Sequence, residues 1–106
     1  MRMEFIESPL FTRLLSDYLS EEEYAALQWE LALHPETGDL IKGSGGLRKI
    51  RWASKAKGKG KRGGVRVIYY YKNQHGQIWL LTLYAKNEVE DLSKDILMKI
   101  RKELEK

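Results

Sequence analysis

Between Lys42 and Lys72 the chain carries eleven Lys or Arg side chains and no Asp or Glu. Cations uninterrupted by carboxylates suit one task above others, which is holding a polyanion, and phosphate is the expected partner. Arg66 is the sharpest case. It interrupts the apolar run Val65-Arg66-Val67-Ile68-Tyr69-Tyr70-Tyr71, and an arginine in such a strand is costly to cover unless an anion or carboxylate pairs with it. Its planar fork of donors fits a phosphate; the competing partner is a helix glutamate, one of Glu21, Glu22 or Glu23. Lys49 and Arg51 share one side of the preceding strand. Lys86 follows the last strand in the same alternation as Tyr84, so both can project into one groove, although a solvated lysine at a strand end reads equally well. The tyrosines 69–71, Trp52 and Trp79 are read as core, with any exposed ring able to stack on a base.

Other chemistries find less support. A phosphate-binding P-loop needs Gly-Lys-Ser/Thr opening a helix, whereas Gly58-Lys59 and Gly60-Lys61 lack the hydroxyl residue and run into a strand. His34 precedes a proline and His75 sits in a turn, with no second ligand at metal spacing. The sequence has no cysteine, so neither a disulfide framework nor a thiolate metal site is open to it. No metal or cofactor is expected. Neither a signal peptide nor a spanning segment is seen, and a cytoplasmic location with no membrane partner is the default.

The elements that must position these cations follow from pattern. Residues 1–7 alternate enough for a first strand. Ser8-Pro9 starts a helix whose Leu10, Phe11, Leu14, Leu15 and Tyr18 share a face. Ser20-Glu21-Glu22-Glu23 is a capping box, stapled by Leu19 and Tyr24, and opens a second helix with Tyr24, Leu27, Leu31 and Ala32 inward. His34-Pro35 closes it. Leu40-Ile41 forms a short strand, and three longer antiparallel strands follow within residues 45–88. In the first of these, cations fall on both faces, as suits an edge or groove wall. The segment 54–64 interleaves Lys55, Lys57, Lys59, Lys61 and Arg62 with glycines, and self-repulsion should leave it mobile without an anion. Residues 73–76 make a hairpin turn. Residues 78–83 are apolar at nearly every position, as for a strand covered on both sides. Asp91 or Ser93 then caps a last helix with Leu92, Ile96, Ile100 and Leu104 inward. The expected fold class is α+β: one domain over 1–106, ordered β-α-α-β-β-β-α, with a mainly antiparallel twisted sheet.

Charge is segregated along this order. Residues 1–41 carry net −7, residues 42–72 net +11 and residues 73–106 six charges of each sign, within an overall +4. Two faces with different roles are implied. The acidic helices are open to two readings, a surface for a protein partner or a solvated face.

Three blocks together resemble the HigB branch of the RelE-like toxins of bacterial toxin–antitoxin modules: Gly45-Gly46-Leu47-Arg48-Lys49-Ile50-Arg51, Lys59-Gly60-Lys61-Arg62-Gly63-Gly64-Val65-Arg66-Val67-Ile68-Tyr69-Tyr70, and Leu81-Thr82-Leu83-Tyr84-Ala85-Lys86-Asn87-Glu88. The resemblance implies a ribosome-dependent endoribonuclease that cuts mRNA in the small-subunit decoding site. It also implies a cognate antitoxin encoded beside it, through which alone the complex would meet DNA. The implied chemistry is metal-free attack of a ribose 2′-hydroxyl on the adjacent phosphate. Arg66 matches the family's phosphate-stabilising strand arginine, Lys49 and Arg51 the basic pair before it, and Lys86 the basic element after the last strand. Family members place an arginine and a tyrosine where this chain has Asn87 and Ser93, so the proton-transfer roles fall among Lys59, Lys61, Lys86 and Tyr84. Lys55, Lys57 and Arg62 join Lys49 and Arg51 as RNA-binding residues. A monomer is expected for the free protein. The alternative from the residues alone is a non-catalytic basic RNA-binding or ribosome-associated protein.

Overall fold

Two capping serines organise the first third of the chain. A computed structural model describes residues 3–56, 64–88 and 91–104. After β1 (Glu4–Glu7), the Ser8 hydroxyl accepts from the Phe11 amide at 3.0 Å and donates to the Leu81 carbonyl at 2.7 Å, starting α1 (Pro9–Tyr18) while tying it to the sheet. Ser20 and Glu23 complete the capping box of α2 (Glu21–Leu33), satisfying amides that a helix start leaves open. The remaining elements are β2 (Asp39–Leu40), β3 (Leu47–Trp52), β4 (Val65–Lys72), β5 (Gln77–Ala85) and α3 (Lys94–Glu103). This is the α+β arrangement expected, with the short strand one residue earlier than Leu40-Ile41.

The five strands form one sheet in the order β1-β5-β4-β3-β2. β3, β4 and β5 are antiparallel neighbours, and only β1 runs parallel, beside β5. A one-turn 3-10 segment, Asn73–His75, closed by Gly76 at φ 60°, joins β4 to β5. That positive φ is one glycine adopts without strain.

Each face of the sheet has its own core. On one, Phe11, Leu27 and Leu31 of the helical hairpin meet Ile50, Val65, Val67, Tyr69, Ile78, Leu80 and Leu83. On the other, Leu97 of α3 covers Leu47, Ile68, Leu81 and Tyr84, with Leu92, Ile100 and Leu104 alongside. The expected inward row of α3 needs one correction: Ile96 is 46% exposed and Leu97 takes its place. A strict four-residue spacing drifts around a helix of about 3.6 residues per turn, so Leu97, Ile100 and Leu104 keep to one side better.

The β4–β5 register carries a bulge. Ile68 pairs with Thr82, but Tyr69 pairs with Leu80, leaving Leu81 as the extra residue. Simple alternation from Leu80, on the hairpin face, would put Tyr84 on that face too. The bulge re-phases the strand, and Tyr84 emerges on the α3 face.

Candidate functional site

The register of the three long strands sets Arg51 opposite Arg66, and Arg66 opposite Tyr84. These three side chains form a row across the sheet on the α3 face. Two arginines directly across from each other repel, and Arg66 is only 6% exposed. Burial, then the facing Arg51, lower the Arg66 pKa, while Tyr84 and Asp91 pull it back. Such an arrangement costs stability and is understandable where an anion is to be received. Burial, reinforced by Asp91, raises the Tyr84 pKa against the pull of Arg66, so the phenol keeps its proton at neutral pH and remains a hydrogen-bond donor.

Lys49 lies two positions from Arg51 along β3, opposite Ile68. Its ammonium meets the Asp91 carboxylate at 3.0 Å. Lys42, Lys49, Ile68, Tyr84 and Asp91 line a cavity of about 270 Å³ under α3. Asp91 is the residue that sequence reasoning missed as part of the site. The signal was the pair of possible caps: Ser93 caps α3, its hydroxyl accepting from the Ile96 amide at 3.2 Å, which leaves the Asp91 carboxylate available to Lys49.

The other expected site residues divide. Lys86 is exposed in the turn after β5, where its amide donates to the Gly64 carbonyl at 3.3 Å, at the foot of β4. Lys55 is exposed, and its amide donates to the Glu23 carboxylate at 2.9 Å, beside the first turn of α2. Lys57, Lys59, Lys61 and Arg62 lie outside the described residues. The expected alternative partner for Arg66 does not fit the alternation, since Glu23 sits with the hairpin on the other face, accepting from the amides of Ser20 and Lys55. Arg48, counted among the cations, serves the loop before β2. Its guanidinium donates to the carbonyls of Glu36 at 3.0 Å and Gly38 at 2.7 Å.

Among the described residues no three of His, Asp and Glu gather as a metal-binding group, and no helix is long and apolar enough to cross a membrane. No family model matches the sequence. The structure is similar to that of the E. coli toxin RelE, solved as a double arginine mutant in the free state. The TM-score is 0.55 at 16% identity, over 85% of this chain and 90% of that one. The fold is RelE-like. In this RelE-like fold the row of Arg51, Arg66 and Tyr84 spans the three long strands, and α3 covers the same face.

Proposed function

We propose that this chain is the toxin of a toxin–antitoxin module, a single-domain, ribosome-dependent endoribonuclease of the HigB type that cleaves mRNA in the decoding site. The observation that carries the reading is the buried Arg66 between Arg51 and Tyr84, on a RelE-like fold. Paired cations held in a partly water-excluded row are preorganised for charge that grows during the reaction.

In this mechanism the ribose 2′-oxygen attacks the adjacent phosphorus, and its proton passes to the lone pair of one lysine among Lys59, Lys61 and Lys86 acting as the neutral amine. Arg66 and Arg51 hold the non-bridging oxygens as they gain charge. The bond from phosphorus to the 5′-oxygen breaks, and the Tyr84 hydroxyl supplies that oxygen with a proton. The products are a 2′,3′-cyclic phosphate and a 5′-hydroxyl. Lys49 and the 55–62 segment bind the flanking backbone, and Asp91 must release Lys49 for that contact.

The test is primer extension on an mRNA translated in a reconstituted bacterial system, with wild type and Arg66→Ala. Cuts that need ribosomes and vanish with Arg66→Ala are expected. An intact message with translation still slowed would replace the nuclease with a non-catalytic RNA-binding or ribosome-associated protein.

A further inference from the structure

The helix α2 is apolar on two sides. Leu27 and Leu31 are fully buried against the sheet, yet Trp29 is 69% and Leu33 64% exposed on the opposite side. Ala25, Trp29 and Leu33 follow at spacings of four, where a solvated face would carry polar residues. Beside them, Phe5 of β1 with Ala25, Gln28, Trp29 and Ala32 lines an open groove of about 280 Å³, with room for a bulky apolar side chain. Tryptophan is one of the residue types enriched among the anchors of protein interfaces.

Charge selects the occupant. Glu21 and Glu22 are exposed at the start of α2, and Glu30 lies between Trp29 and Leu33 in sequence. The helix contains no Lys, Arg or His, and residues 1–41 hold nine acidic side chains against two basic ones. Such a field repels RNA phosphate. It also disfavours a symmetric dimer, in which the same acidic patch would face itself. A cationic segment around an apolar anchor is the complement.

We propose that the outer face of α2, with the Phe5 groove, is the docking surface for a basic amphipathic segment of the antitoxin, one that inserts a large apolar side chain beside Trp29. The proposal rests on the toxin reading above. This face lies across the sheet from Arg66, so its variants leave the cation row intact.

The experiment uses the full chain and, as probe, the purified product of the reading frame adjoining its own gene. Binding is measured by calorimetry for wild type, Trp29→Ala, Leu33→Lys and the double variant Glu22→Gln/Glu30→Gln. Trp29→Ala should weaken binding about 30-fold or more. The double Gln variant should weaken it several-fold and flatten its dependence on salt. Arg66→Ala should bind as wild type does. In cells, Trp29→Ala should still arrest growth but escape rescue by the co-expressed probe. Leu33→Lys provides the same reading should Trp29→Ala fold poorly.

Rescue of Trp29→Ala as complete as that of wild type would overturn the proposal. So would a wild-type chain that the probe does not bind, or a wild-type dimer that Trp29→Ala dissolves. Failure of the toxin reading is separate and visible beforehand, as a wild-type chain that neither arrests growth nor cuts message.

Discussion

The two faces of this sheet are built from the same strands and solve opposite problems. On the hairpin face the centre is fully buried: Phe11, Leu27, Leu31, Val65, Val67 and Tyr69 are all at 0% exposure. Its polar groups are closed off internally, as where the Tyr69 hydroxyl accepts from the Gly38 amide at 2.9 Å and donates to the Pro35 carbonyl at 2.8 Å. Gly38 is required there, since a Cβ would come within 2.7 Å of the Tyr69 ring. On the α3 face, burial takes in a guanidinium facing another guanidinium, and a lysine is held by an exposed aspartate. One face spends its interactions on stability and the other retains repulsion that a bound phosphate would relieve.

The largest expected effect tests that contrast directly. Arg66→Ala should lower cleavage by about 10²–10³-fold, as loss of one preorganised charge-stabilising donor does elsewhere. It removes the repulsion from Arg51 together with the packing of a buried side chain, two opposing effects, so the unfolding temperature should change little. A large fall in stability would show Arg66 to be structural and erase the difference between the faces.

The converse change is Tyr69→Phe. It leaves the Gly38 amide and the Pro35 carbonyl without their buried partner, at a cost of about 1–3 kcal/mol, read by urea unfolding. Cleavage by the folded fraction should stay at the wild-type level.

A smaller effect is expected from Asp91→Asn. An exposed ion pair contributes about 0.2–1 kcal/mol, so freeing Lys49 should tighten binding of single-stranded RNA by no more than about fivefold. The salt dependence should steepen by up to about 0.7, as for one further phosphate contact. Weaker binding would mean that Asp91 positions Lys49 for RNA rather than competing with it.

The smallest effect is absent at neutral pH. Burial raises the pKa of Tyr24, Tyr69 and Tyr84, and a hydrogen bond to Glu88 raises that of Tyr18. Below about pH 10 both folded and unfolded chains keep these protons. Above it the unfolded chain releases them first, so it binds fewer protons and stability falls as pH rises. Thermal unfolding followed from pH 8 to 11 should therefore show a decline beginning near 10, and Tyr69→Phe should make it shallower.

Local signals were legible because they act over three or four residues. The Ser20 capping box, the Ser8-Pro9 helix start, the alternation in β3 and β4 and the segregation of charge all follow from side chains that meet their own neighbours. On its own the sequence thus determined the α+β order, the hairpin over the sheet and the placing of Lys49, Arg51 and Arg66 on adjoining strands. Tertiary structure decided what depends on register. β5 is apolar nearly throughout, so its phase is not written in its residue types, and the bulge after Ile68 decides that Tyr84 joins Arg66. Asp91 reaches Lys49 across 42 positions of chain, while Ser93 takes the cap. Alternation already separates Arg48 from Arg51, but only the folded pairing names their neighbours, the carbonyls of Glu36 and Gly38 for one and Arg66 for the other. A side chain's type sets what it can bind, but the neighbour it meets across a sheet is set by pairing over long separations, which short-range pattern does not encode.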